Sequence, residues 1–516
     1  MASLRPRRAL QGPLRSGEGA VRGFGRRQTG ELVRTWERRL ACVRASGICL
    51  AALAAVLAWG LPGRAGAETL PQALAATYKF NPRLDAARAI QRATDEEVPR
   101  ALSGYRPSIT GSADTSYQKT ITDGPLGHSN TETNPRGYTV GAVQPLFRGF
   151  RTVSAVSAAE ATVRAGWETL RITESSVLLE AVTAYGDVVR DTAIVRLREN
   201  NVTVLTRDLR ATQDRFNVGE VTRTDVAQAQ ARRAAAVAAL DLARSNLKTS
   251  RATFERVVGH PPSNLVEARA TNIVPKSLPE NVEISARESP NVVAALYREQ
   301  AARFNIDLIR GELLPTVQLE TNYTKRFEPS SSIDTSETTL VTGRLTVPFY
   351  TGGEVQARVR QAKHTHIQRL QEIEQARTEV QAQVVSAWAQ LQAAQAAVES
   401  DVTAVEANRI ALAGVREEER VGQRTLLDVL NAEQELLNAE VNLATDRRNL
   451  MVASYAVLST IGRLNAQELG VASLVYDPEA HYQDVRRKWF DISITHGDGR
   501  REVLEAVPPE RHAPAK

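Results

Sequence analysis

From Pro107 to Tyr117 the chain alternates, with Ile109, Gly111, Ala113, Thr115 and Tyr117 on one side and Ser108, Thr110, Ser112, Asp114 and Ser116 on the other. Period two places successive side chains on opposite faces of a strand, here one weakly apolar and one polar. Tyr138–Phe147 alternates likewise. So do Pro315–Tyr323, with Val317, Leu319, Thr321 and Tyr323 on one face, and Thr339–Phe349, with Val341, Gly343, Leu345 and Val347. Connectors rich in Thr, Ser and Gly join the members of each pair, over 119–137 and about 327–337.

After each strand pair the period changes. No proline occurs from Leu146 to His260, nor from Phe349 to Asp477, and both runs are dense in Ala, Gln, Glu, Arg and Leu. Proline would break a helix and these residues lose little entropy in one, so the runs predict very long helices. Each is punctuated by a Val-Gly pair, at Val218-Gly219 and Val421-Gly422, and glycine commonly sits just past a helix end. The expected unit is a helix of about 65 residues, a turn at Gly219 or Gly422, and a return helix of about 38; the longer would reach about 100 Å at 1.5 Å per residue. Ala227, Ala231, Ala234, Ala238 and Leu242 recur at three- and four-residue spacing, a thin seam suited to close helix packing in an elongated coiled-coil body.

The two halves repeat. Val218-Gly219-Glu220-Val221-Thr222-Arg223-Thr224-Asp225-Val226 answers Val421-Gly422-Gln423-Arg424-Thr425-Leu426-Leu427-Asp428-Val429 at an offset of 203, and Pro145 and Gly149 answer Pro348 and Gly352. Pro82 and Pro107 answer Pro290 and Pro315 at 208, so a five-residue length difference lies between Pro107 and Pro145. Such sustained spacing marks a duplicated structural unit. The expected divisions are a leader over 1–67, a first repeat over 68–262, a linker over 263–288, a second repeat over 289–465, a further segment over 466–482 and a largely disordered tail over 483–516. The fold class is mainly α with membrane β, a strand–strand–long helix–helix unit used twice.

Strands near ten residues with alternating faces, aromatic ends and polar connectors suit an outer-membrane barrel. A soluble hairpin shows the same alternation strand by strand, but four such strands at matched places of a repeat in an exported chain favour the membrane. Four strands cannot close a barrel in lipid, where every backbone group must be paired, so several copies must share one.

Composition modifies this picture through the leader. Residues 1–44 are Arg-rich, 45–61 form an apolar run, and Ala65-Gly66-Ala67 precedes Glu68, a secretory signal with cleavage expected between Ala67 and Glu68. As a retained anchor the run would be short for a bilayer crossing of about 20 residues. Residues 1–67 carry 12 basic and 3 acidic side chains, so their removal turns a formal charge of +6 into about −3. The basic balance thus belongs to export, and nucleic acid is not an expected partner. Cys42 and Cys49 leave with the leader, so no disulfide is expected in the mature chain. No Gly-x-x-x-x-Gly-Lys-Ser/Thr loop and no Gly-x-Ser-x-Gly elbow is present, and His364 and His366 would point different ways on a helix. No enzyme, metal or cofactor is expected.

Phe216-Asn217-Val218-Gly219 with Thr224-Asp225-Val226, and Val421-Gly422 with Leu427-Asp428-Val429-Leu430-Asn431-Ala432, in a duplicated strand–strand–helix–helix frame over Glu68–Tyr482, resemble the TolC family of outer-membrane efflux and secretion ducts. The resemblance implies three copies building a 12-stranded barrel and a periplasmic α-helical tunnel, with an equatorial belt from Pro261–Glu288 and the segment after Gly462. It implies a passive duct met by a periplasmic adaptor and an energised inner-membrane transporter, for small toxic compounds or proteins. By position it makes Asp428 the carboxylate of an aperture ring, Asn431 the second ring position, and Arg424 the cation that bonds Thr224 and Asp225 across coils. Asn431 is neutral where the family usually has an acid, and Glu419 stands where it can have a linking tyrosine. From the residues alone, Thr222-x-x-Asp225 and Thr425-x-x-Asp428 read as helix caps. An adaptor-like periplasmic coiled coil with soluble hairpins is the other reading, and a diffusion porin would need more strands.

Overall fold

The computed structural model describes residues 67–125, 127–470, 475–495 and 501–503. The Arg-rich leader, with Cys42 and Cys49, lies outside the described residues, as does the tail beyond Val503. Glu68 is buried, donating its backbone N–H to the Asn264 carbonyl at 2.8 Å and accepting from the Val266 N–H at 3.0 Å. Helices α1 (Leu70–Phe80), α2 (Pro82–Asp95) and α3 (Glu97–Leu102) follow, then a 3-10 turn (Ser103–Tyr105) and strand β1 (Ser108–Thr115).

The stretch expected as a polar connector is instead mostly strand: β2 (Gln118–Gly124) pairs with β3 (Gly127–Thr133), followed by β4 (Arg136–Arg148). Ser108 lies opposite Val143 and Thr115 opposite Arg136, and the β2–β3 ladder resumes in step with Gln118 opposite Thr133. The break falls where Ser116 meets Pro135, which has no N–H to give the ladder; one bond from the Ser116 N–H to the Pro135 carbonyl, 2.9 Å, bridges it. The β-branched Thr120-Ile121-Thr122 run carries strand propensity despite its polarity.

Helices α4 (Arg151–Asn217) and α5 (Arg223–Val258) come next, 67 and 36 residues long. Then come α6 (Leu278–Glu288), α7 (Pro290–Arg310), a second 3-10 turn (Gly311–Leu313), β5 (Thr316–Ser330) and β6 (Ile333–Thr346). These strands run through most of the expected 327–337 connector, with Ser330 opposite Ile333. The second hairpin of helices, α8 (Glu354–Arg420) and α9 (Leu426–Thr460), is 67 and 35 residues long. Beyond it, α10 (Pro478–Arg486) and the short antiparallel pair β7 (Ser493–Thr495) and β8 (Arg501–Val503) occupy ground expected to be unstructured from Gln483 on. Tyr482 and Val485 are buried, Tyr482 edge-on to Trp167 of α4 with ring centres 5.9 Å apart, and the Arg486 guanidinium reaches Glu160 at 2.8 Å. Packing on α4 thus orders a segment that lacks periodicity of its own.

The four long strands form one antiparallel sheet in the order β1-β4-β5-β6, so the two repeats join through β4 and β5. Register sorts its rows by polarity. Ile109, Ala142, Thr321 and Val341 lie abreast, as do Gly111, Val140, Tyr323 and Thr339, while Asp114, Gly137, Arg326 and Ser336 share a row of the opposite face. Arg326 crosses Gly137 to reach Asp114 at 3.3 Å, and a Cβ at Gly137 would sit 3.0 Å from the Arg326 side chain and 2.5 Å from a backbone oxygen. Ile109, Val140, Val341 and Leu345 remain exposed, an apolar face with nothing packed on it. Among the described residues β1 and β6 are unpaired on their outer edges.

The main core lies where both helical hairpins meet α1 and the 263–268 strap. Leu74, Leu178, Val182, Tyr185, Phe254, Val258, Val384, Met451, Leu458 and Ile461 pack together there. The Tyr185 hydroxyl lies 2.6 Å from the Val266 carbonyl and 2.9 Å from that of Glu68, tying the start of the body to the strap. Among the described residues no helix is long and apolar enough to cross a membrane.

Candidate aperture at the coiled-coil tips

Both helical hairpins turn by the same device. At the end of α4 the Gly219 N–H bonds the Phe216 carbonyl (3.0 Å) and the Glu220 N–H that of Arg215 (2.9 Å). At the end of α8 the Gly422 N–H bonds Glu419 (2.9 Å) and the Gln423 N–H bonds Glu418 (2.9 Å). This Schellman pattern needs a left-handed residue, and Gly219 and Gly422 have φ of 82° and 79°.

The returning helices are capped identically. The Thr222 hydroxyl accepts from the Asp225 N–H at 3.3 Å, while Asp225 Oδ2 accepts from the Thr222 N–H (2.9 Å) and hydroxyl (2.8 Å). Thr425 and Asp428 repeat the arrangement at 3.3, 3.0 and 2.8 Å. The backbone N–H and then the hydroxyl of Thr425 hold the Asp428 carboxyl below the usual carboxylate range, with Arg424 helping, so it stays charged. Asp428 Oδ1 accepts no hydrogen bond among the described residues.

Arg424 does not meet Thr224 or Asp225 within the chain. Its Nε lies 2.9 Å from Glu418 Oε2, a partner on its own hairpin, which with Asp428 raises the guanidinium's pKa further. Asn431, the second ring position, accepts from Arg232 Nη2 of α5 at 2.7 Å. Glu419 holds Arg215 Nη1 at 2.6 Å. The two tips of one chain are therefore linked by Arg215–Glu419 and Arg232–Asn431, over a small apolar contact of Leu205, Ala236 and Leu430.

Beneath them lies a group that sequence reading missed. Glu433 of α9 is almost wholly buried, pairs with Arg416 of α8, and faces Asp208 of α4 closely enough for the two acids to interact. Burial first, then the Glu433 charge, pushes the Asp208 carboxyl up to about 6. Asp208 Oδ2 and Glu433 Oε2 are both buried and receive no hydrogen bond from the described residues. The signal was present: Asp208 follows Leu205 by three and precedes Thr212 by four, and Glu433 stands likewise between Leu430 and Leu437, so both acids occupy seam positions.

With this geometry in hand, the chain matches known proteins over both repeats. The sequence profile of the family described as outer membrane efflux protein matches residues 74–260 and 282–463. The outer membrane efflux protein BepC of Brucella suis biovar 1 (strain 1330) is 40% identical over 451 residues, 86% of this chain and 97% of that one. The outer membrane protein TolC of Escherichia coli (strain K12) is 26% identical over 437 residues, 80% of this chain and 85% of that one. Among solved structures, the Campylobacter jejuni CmeC outer membrane channel shares the fold with a TM-score of 0.71 at 16% identity, covering 81% of this chain and 89% of that one.

Proposed function

The chain belongs to the outer membrane efflux protein family, and from that premise we propose that three copies close one 12-stranded barrel whose helical hairpins form the periplasmic exit duct. It is an outer-membrane channel for efflux or secretion. The observation that carries the trimer is the four-stranded sheet, apolar on one face and open at both edges, because a spanning sheet must close. An adaptor-like coiled coil with soluble hairpins does not account for that bare apolar face. In this reading the chain supplies a passage and no chemistry, a periplasmic adaptor grips the helical tips, and an inner-membrane transporter supplies the energy for small toxic compounds or proteins.

The tips are the proposed aperture. Asp428 and Asn431 ring the opening, and Arg424 leaves Glu418 to bond Thr224 and Asp225 of the adjoining coil when the copies assemble. An exposed pair of this kind contributes about 0.2–1 kcal/mol, so three of them hold a closed state that a docking partner can open. Arg424→Ala combined with Asp225→Ala should raise single-channel conductance in planar bilayers, and a conductance equal to the parent's would remove these residues from the aperture.

A further inference from the structure

The segment after α10 is anchored on one side and bare on the other. Arg106, just before β1, donates from Nη1 to the Lys488 carbonyl at 3.0 Å and lays its guanidinium 4.6 Å from the centre of the Trp489 ring. Past that clamp Trp489 is 59%, Phe490 92% and Ile492 73% exposed. Arg487 and Arg106 have no acidic partner among the described residues, whereas Arg486 is spent on Glu160 and Lys488 lies 3.8 Å from Asp491.

The position of this patch gives it meaning. Tyr105, next to Arg106, accepts from Gln144 Nε2 at 3.0 Å, and Gly104 packs on Arg148 and Thr152, where β4 becomes α4. Leu146 and Phe150 stand exposed at that junction, and Phe349 and Tyr350 at the matching junction of the second repeat, between β6 and α8. Aromatic belts mark the water interface of a bilayer, and basic side chains beside them attract anionic headgroups. We propose that Arg487–Ile492 is a foot that seats Trp489, Phe490 and Ile492 in the periplasmic leaflet and binds anionic phospholipid headgroups through Arg487 and Arg106.

The inference rests on the outer-membrane placement of the sheet, so its test carries a control for that placement. The full-length protein is reconstituted in bilayers of brominated lipid, and the emission lost on Trp489→Phe isolates the Trp489 signal; Val341→Trp, added to that variant, reports the sheet's apolar face. Both signals should be quenched. Co-purified phosphatidylglycerol should fall about fivefold at low salt in Arg487→Gln, one basic residue's worth of attraction. Quenching at 341 with none at 489 would overturn the foot and leave the channel reading intact; none at either would overturn the placement itself. Phosphatidylglycerol retained equally by parent and variant, or a crosslink from position 490 to a neighbouring copy, would also sink the proposal.

Discussion

The side chains beneath the tips should make the coiled-coil ends sensitive to pH. A carboxyl whose pKa is higher folded than unfolded lends stability below its unfolded value and gives it up as pH rises through the folded one. For Asp208 that window runs from about 4, its unfolded value, through about 6. Below it the Asp208 carboxylic acid can donate a hydrogen bond to Glu433 and join two hairpins; above it two carboxylates share one arginine, Arg416. Asp208→Asn should keep the hydrogen bond and remove the window. With exchange rates normalised to the intrinsic rate at each pH, the opening energy at the tips of the parent should fall by about 1 kcal/mol between pH 5 and 7.5, water at the half-open carboxyl screening the rest, and that of the variant should stay constant. A parent indifferent to pH would show that the two acids are not coupled.

At the scale of elements, the two helical turns depend on backbone conformation and not on space. A Cβ at Gly219 or Gly422 would touch nothing within 4 Å, yet φ near 80° burdens any branched side chain. Gly422→Val should therefore destabilise its tip by about 1–2 kcal/mol and Gly422→Asn by less, read as faster exchange confined to residues flanking the turn. Exchange unaltered by Val would mean that the turn readily adopts another form. These elements were legible because their signals are local: proline-free runs set the long helices, Val-Gly their ends, and Thr-x-x-Asp their caps. What was not legible depends on partners distant in sequence. Thr120-Ile121-Thr122 looked like connector because polarity outweighed its β-branching, α10 has too little pattern until Tyr482 meets Trp167, and Arg424 chose Glu418 because both lie at the same turn. The links Arg215–Glu419 and Arg232–Asn431 join residues about 200 apart, and no spacing along one helix announces them.

For the whole molecule, the internal repeat foretells how copies should join. Offsets of 208 for the first strand and 203 for the second carry the pair Ser108–Val143 onto Thr316–Thr346, which is the observed pairing. The same offsets carry the β4–β5 pair Val143–Glu320 onto Thr346 of one copy and Ser112 of the next. Ser112→Cys with Thr346→Cys should then give a disulfide-linked trimer on a denaturing gel, whereas Ser112→Cys with Leu345→Cys, one residue out of step, should not. Equal crosslinking of both pairs would refute the register. The ladder break at Pro135 has a consequence of another kind. In the proposed barrel, strand ends opposite the helices would face outward, so the β2–β3 hairpin, every residue of β2 exposed, would stand outside the cell. To an immune system or to any agent arriving from the medium, that polar, threonine-rich hairpin would then be on view together with the β5–β6 turn, clear of the pore wall below.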